Sequence, residues 1–149
     1  MSVIKNIRHT GLVVRDINRS LAFYRDTLGL HVKSTQEETG SFLDTILADQ
    51  GIVVQTVKMA ASSGETLLEL LYFKAPVGIE LGICLPKPYN SFGFTHLAFT
   101  VGEVELACTA VITAGGQCLS PPQKSADGSV RVAFCRDPEG NLLELVQLI

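Results

Sequence analysis

Residues 9–17 read His9-Thr-Gly-Leu-Val-Val-Arg-Asp-Ile, and residues 96–104 read His96-Leu-Ala-Phe-Thr-Val-Gly-Glu-Val. Both runs have the apolar, alternating character of a β-strand and are followed by a stretch with helical spacing. Each copy later ends on the same tetrapeptide, which begins at Leu67 in the first and at Leu142 in the second. The chain therefore consists of two similar modules, and each is expected to build the same kind of sheet.

The two modules are predicted to share the order β-α-β-β-β, within one domain that spans residues 1–149. The first module covers about residues 1–75, a linker rich in Gly and Pro covers 76–94, and the second module covers 95–149. In the first module, strands are expected at 7–14, 42–48, 52–59 and 66–73, and residues 31–33 are expected to be extended. A helix should begin near Asp16 or Asn18 and end at Gly29, and 35–39 should be a polar connection. In the second module, strands are expected at 95–101, 130–136 and 141–148, with a helix over 104–113 and a short extended segment at 117–119.

Composition and charge restrict the possible functions. The chain has 149 residues, 46% of them hydrophobic and 18% charged, which is typical of a globular protein. A formal charge of −3 without a basic cluster argues against nucleic acid as a partner. No apolar run approaches the roughly 20 residues of a membrane span, and no signal-like segment is visible, so we expect a cytoplasmic protein without a membrane partner. The four cysteines form no Cys-x-x-Cys pair and are expected to be reduced.

Four residues are candidates for chemistry: His9 and Glu69 in the first module, His96 and Glu144 in the second. Either histidine alone could be an ordinary core or edge residue, and either glutamate alone could face solvent. Because the same histidine and glutamate recur in both modules, we predict that the four residues form one metal site. Imidazole and carboxylate together suit Zn, Ni, Co, Fe or Mn better than Mg or Ca. Such an ion could polarise a substrate that binds through two oxygens, while a glutamate removes a proton beside the carbonyl.

These motifs resemble the vicinal oxygen chelate superfamily, which includes glyoxalase I, methylmalonyl-CoA epimerase, extradiol dioxygenases and the fosfomycin- and bleomycin-resistance proteins. The resemblance rests on the two histidines, the two glutamates, Leu28-Gly29 and the run Asp137-Pro-Glu-Gly-Asn141. It implies an α+β fold in which two βαβββ modules form a cleft of curved sheets. It also implies that His9, Glu69, His96 and Glu144 are the metal ligands, with Glu144 or Glu69 doubling as the catalytic base.

The resemblance implies a lyase or isomerase of the glyoxalase I type, which would move a proton on a small oxygen-chelating carbonyl substrate through a metal-bound enediolate. Two positions depart from bacterial glyoxalase I: Val13 and Phe73 replace an Arg and an Asn that commonly hold glutathione. Both replacements are apolar and disfavour a glutathione conjugate.

Two other functions stay open from the sequence. One is an extradiol-type dioxygenase that binds iron through His9, His96 and Glu144. The other is a metal-free protein that sequesters a drug. A homodimer is expected, with the metal site either within one chain or shared between two.

Overall fold

The computed structural model describes residues 3–62, 64, 67–79 and 86–149, and the chain divides into two compact units, Met1–Glu80 and Leu81–Ile149. Each unit contains one mixed sheet together with one or two helices. The protein is therefore of the α+β class, as the sequence predicted. In the described part of the chain, no helix combines the length and the apolarity needed to cross a bilayer.

The first unit is built on a four-stranded sheet with the order β1-β4-β3-β2. The edge strand β1 pairs with β4 in parallel, while the other neighbours are antiparallel. The elements are β1 (His9–Val13), α1 (Ile17–Leu21, continued by a π-helical segment Ala22–Thr27), β2 (His31–Thr39), α2 (Ser41–Leu47), β3 (Val53–Ala60) and β4 (Leu67–Ala75).

The second unit repeats this plan with the order β5-β9-β8-β6, and β7 also pairs with β8. Here β5 and β9 are the parallel pair, in the same relation as β1 and β4. The elements are β5 (His96–Thr100), α3 (Val104–Thr113), β6 (Gln117–Cys118), β7 (Gln123–Lys124), β8 (Val130–Arg136) and β9 (Leu142–Leu148).

Local signals explain where the helices begin and end. The Asp16 carboxylate accepts a hydrogen bond from the Arg19 N–H (3.0 Å), which confirms Asp16 as the N-cap of α1. Gly29 ends the helical segment with φ of 78°, a left-handed conformation that favours glycine. The N-terminus of α3 is held differently: the buried Gln147 side chain on β9 accepts a hydrogen bond from the Val104 N–H (3.0 Å).

One face of each sheet forms the core. In the first unit, Val57, Met59 and Leu70 are fully buried, and so are Phe23 and Tyr24 on the helical segment. In the second unit, the same role falls to Cys135, Leu145 and other residues under α3. Because side chains alternate along a strand, the residues between them point to the opposite face. The candidate histidines and glutamates lie on that opposite face.

Two predictions about the first unit are wrong. Residues 41–47 form the helix α2 instead of a strand, because the helical turn buries Leu43 against Ile52 and Val54. The strand β2 extends through the polar residues to Thr39, where a connection was expected. It lies at the edge of the sheet with its side chains mostly exposed, so polar residues are compatible with pairing to β3. The sequence also predicts a turn at Ser62-Ser63-Gly64 between the last two strands of this unit, and Ser63 lies outside the described residues.

Candidate metal centre

The first unit brings His9 and Glu69 together on neighbouring parallel strands. In the register of β1 and β4, Gly11 lies opposite Glu69, and His9 lies two residues earlier on the same face. The His9 Nε2 and Glu69 Oε2 atoms are 3.0 Å apart. A histidine and a glutamate separated by 60 positions thus become one pair because β1 and β4 run in parallel.

The second unit builds the same pair from His96 and Glu144. Ala98 lies opposite Glu144 in the parallel register of β5 and β9, and His96 again precedes it by two residues. The His96 Nε2 and Glu144 Oε2 atoms are 3.3 Å apart. Since the register is identical in the two units, the pairs are equivalent in structure as well as in sequence.

A small residue stands opposite each glutamate: Gly11 in the first unit and Ala98 in the second. At Gly11 the space is tight, because a Cβ atom there would approach the Leu71 Cδ1 atom to 3.2 Å. A larger side chain at Gly11 would therefore press on Leu71, which lies two positions after Glu69 on the same strand.

The surroundings of the two glutamates differ. Lys58 on β3 is directly opposite Glu69, and its Nζ atom lies 3.8 Å from Glu69 Oε1. The Glu69 side chain is only 10% exposed, so its charge is balanced by a cation in a largely buried place. The sequence analysis missed Lys58, because the register of β3 with β4 follows from the hairpin between them and not from a local pattern.

At the equivalent position of the second unit, an aromatic ring replaces the lysine. Phe134 on β8 lies opposite Glu144, and its ring meets the His96 ring edge-on with centroids 5.3 Å apart. The Glu144 side chain is 25% exposed, more than that of Glu69. On the other side of the imidazole, the Thr95 hydroxyl lies 2.9 Å from His96 Nδ1, which helps hold the Nε2 atom toward Glu144.

Each pair has the chemistry and the spacing of two adjacent metal ligands. Ligand atoms about 2.0–2.2 Å from an ion and about 90–110° apart are separated by about 3.0–3.5 Å. The observed Nε2–Oε2 separations of 3.0 and 3.3 Å fall in that range. Both histidine side chains are 35% exposed, so an ion could reach them. The residues therefore fit a divalent ion of the Zn, Fe, Ni, Co or Mn type.

The structure thus assembles each pair inside its own unit. The use of all four residues as ligands of a single ion stays a prediction.

Two sheets that each have a parallel pair of strands at one edge, with a His–Glu pair across those two strands, define a protein of the glyoxalase fold class. The sequence model described as the Glyoxalase/Bleomycin resistance protein/Dioxygenase superfamily matches residues 6–145. The chain belongs to this superfamily, which confirms the resemblance found in the sequence.

Known relatives support the same placement. The chain is 27% identical to a probable lactoylglutathione lyase of Vibrio parahaemolyticus, over 95% of this chain and 89% of that protein. It is 32% identical to a lactoylglutathione lyase of Schizosaccharomyces pombe, over 98% of this chain and 48% of the longer yeast protein. Among solved structures, a glyoxalase family protein from Bacillus cereus has the same fold, with a TM-score of 0.87, 20% identity and essentially full coverage of both chains.

Proposed function

We propose that this protein is a metal-dependent lyase or isomerase of the glyoxalase I type, acting on a small carbonyl substrate that offers two neighbouring oxygen atoms. The observation that carries the proposal is the pair of equivalent His–Glu contacts, at 3.0 and 3.3 Å, in the same parallel register of two sheets. The names of the relatives, lactoylglutathione lyase, agree with this class of reaction.

In the proposed site, His9, Glu69, His96 and Glu144 hold one divalent ion, within one chain or between two chains of a homodimer. When bound, the ion polarises the substrate carbonyl and stabilises the negative charge that develops on its oxygens. The protein side chains then have two tasks, which are to orient the substrate and to move one proton.

We assign the proton transfer to Glu144, with Glu69 in the supporting role. Lys58 balances the charge of Glu69, with its Nζ atom 3.8 Å from Oε1. Glu144 has Phe134 opposite it instead of a cation and is more exposed, so its carboxylate is the freer of the two to accept a proton. A general base within hydrogen-bond reach of the substrate typically contributes 10²–10⁴-fold to the rate.

The substrate need not carry glutathione. Val13 is 52% exposed and offers no charge to a peptide carboxylate. Phe73 packs against the cluster of Leu43, Ile52 and Val54, so its side chain serves the core beside α2. We therefore propose that a hemithioacetal formed with a small thiol reacts about as well as the glutathione adduct.

The test combines metal analysis with hydrogen exchange. Protein purified without a histidine tag should contain about one divalent ion per pair of modules and should exchange the substrate's α-proton for solvent deuterium. Glu144→Gln should keep the metal, because the amide oxygen can still ligate, and should lose about 10²-fold or more of the exchange rate. Glu103→Gln, the same change at an exposed carboxylate at the start of α3, is the matched control and should leave exchange unchanged. Full exchange by Glu144→Gln protein would contradict the assignment of the base.

A second function, a ring-cleaving dioxygenase, is favoured by one observation. If Lys58 keeps Glu69 as an ion-pair partner, the ligands that remain are His9, His96 and Glu144, the two-histidine, one-carboxylate set of iron oxygenases. Oxygen consumption with catechols by iron-loaded protein, without α-proton exchange on any carbonyl substrate, would establish this alternative in place of the lyase.

We also propose a homodimer. The strand β2 forms an edge of the first sheet, and edge strands are commonly covered by a partner. Sedimentation of the metal-loaded protein should give the mass of two chains. A monomer with full metal content would contradict both the dimer and a site shared between chains.

A further inference from the structure

Three cysteines meet in the second unit, on the face of the sheet opposite the His–Glu pair. Cys108 lies on α3, Cys118 on β6 and Cys135 on β8, and their sulfur atoms all lie within 4.8 Å of one another. All three are free thiols. They are 10 and 17 positions apart in the chain; the pairing of β6 with β8 joins Cys118 to Cys135, and the packing of α3 against the sheet adds Cys108.

The closest two are Cys118 and Cys135, which lie directly opposite each other on antiparallel strands. Their Sγ atoms are 2.7 Å apart, closer than two non-bonded sulfur atoms normally approach. The Leu119 N–H donates to the Phe134 carbonyl (2.8 Å) one position further on, which makes the cysteines a non-hydrogen-bonded pair. In such pairs the Cα atoms are about 4.5 Å apart, a spacing that a disulfide accepts.

We propose that Cys118 and Cys135 are a site of oxidative modification, at which a peroxide oxidises Cys118 and Cys135 then closes a reversible disulfide between β6 and β8. Cys118 is the half-buried member and lies on a two-residue edge strand, so the oxidant reaches it first. Cys135 is fully buried and supplies the second sulfur.

The chemistry balances in two steps. The Cys118 thiol and hydrogen peroxide give a sulfenic acid and one water, so that the sulfur is oxidised and the peroxide is reduced. The Cys135 sulfur then attacks the Cys118 sulfur, and the displaced hydroxyl leaves as water with the Cys135 proton. Since the two sulfur atoms are already in contact, the second step needs only a small movement of the edge strand.

Two features favour a disulfide over a three-thiolate site for a soft metal ion. Burial, together with the neighbouring Cys118, raises the pKa of Cys135 far above its usual value and raises the pKa of Cys108 to about 11. Three thiolates would also leave net negative charge in the core, which costs free energy, whereas a disulfide is neutral. In addition, a bound ion would require the 2.7 Å contact to open, whereas a disulfide requires it to close.

The experiment uses the full chain with Cys84→Ser, so that only the three clustered thiols remain. Protein treated with hydrogen peroxide, alkylated and mapped by mass spectrometry should show a Cys118–Cys135 linkage, with a mass lower by about 2 Da, that dithiothreitol reverses. Cys108→Ser is the matched control and should form the linkage to the same extent. Cys118→Ser cannot form this linkage, and its total disulfide should fall by about tenfold or more, because peroxide reaches the buried Cys108 and Cys135 thiols poorly.

A second variant tests the order of the steps. Cys135→Ala replaces the buried thiol with a small apolar side chain. In this variant the oxidised Cys118 has no partner for a disulfide and should accumulate as sulfenic acid, which dimedone traps. Sulfinic acid at Cys118 in the protein that retains Cys135, with Cys135 still open to alkylation, would overturn the proposal. So would a Cys108–Cys135 linkage that forms in Cys118→Ser as readily as the disulfide forms without that change. A co-purified soft metal ion that protects all three thiols would also overturn it. Failure of this test leaves the His–Glu site untouched, because the cysteines lie on the other face of the sheet.

Discussion

Lys58→Met should have opposite effects on folding stability and on metal affinity. In the metal-free protein, the substitution leaves the Glu69 carboxylate 10% exposed, with the His9 imidazole still 3.0 Å away but without the Lys58 ammonium. Two unit charges about 4 Å apart attract each other by about 4 kcal/mol at an effective dielectric constant of about 20. Desolvation of the Lys58 ammonium, which is 28% exposed, opposes this attraction, so the expected loss of unfolding free energy is about 1–2 kcal/mol.

Metal binding should respond in the other direction if Glu69 is a ligand. A divalent ion next to Glu69 is repelled by the Lys58 ammonium and competes with it for the carboxylate. Removing the lysine should therefore raise the affinity for the metal ion. A difference of about 1–2 kcal/mol in binding free energy corresponds to about 5–30-fold. Denaturant unfolding of metal-free protein measures the first effect, and competition with a chelating dye measures the second.

Lys74→Met is the matched control, because Lys74 forms an exposed ion pair with Glu37 on the same sheet. Exposed pairs contribute about 0–1 kcal/mol, so this variant should change stability little and metal affinity not at all. If Lys58→Met leaves metal affinity unchanged while it destabilises the metal-free protein, Glu69 is a structural partner of Lys58 and not a ligand. If neither quantity changes, Lys58 does not balance the charge of Glu69.

Other perturbations test the fold around the site. Gly11→Val should cost about 1–3 kcal/mol and weaken metal retention, since its side chain meets Leu71; Gly102→Val, where a Cβ has open space, serves as the control in the same unfolding and metal assays. Asp16→Ala removes the N-cap of α1 and should lower the unfolding free energy by about 1 kcal/mol, measured in denaturant. Because burial raises the pKa of Cys108 from 9.0 to about 11, the unfolded chain loses its proton first, and stability should fall as pH rises through this range. Cys108→Ala should make that fall smaller in unfolding curves recorded from pH 9 to 11; an equally steep fall would contradict the assignment.

The sequence alone was sufficient for the module plan and for the identity of the four residues that form the two His–Glu pairs. Helix α1 could be predicted because its cap, Asp16, and its stop, Gly29, are local signals. The helix α2 was misread as a strand because residues 42–48 have apolar residues at positions compatible with both structures. Contact of Leu43 with the cluster around Ile52 selected the helix, and that contact involves residues that follow in the next strand.

What stands beside each site residue was decided only by tertiary structure. The repeat identifies His9, Glu69, His96 and Glu144, because duplication leaves the same residue types at matching positions. Their neighbours depend on the register between strands, and register is set by the loops and by sheet packing. This is why Lys58 faces Glu69 while Phe134 faces Glu144, a difference between otherwise equivalent modules.

The cysteine cluster in the core was also determined by tertiary structure. Cys108, Cys118 and Cys135 have no motif spacing, and the sequence could say only that they are reduced thiols. They meet because α3 packs across the sheet at the place where β6 pairs with β8. Local patterns specify which face of an element is buried, but the atoms that meet on the buried face are chosen by packing between elements that are distant in the chain.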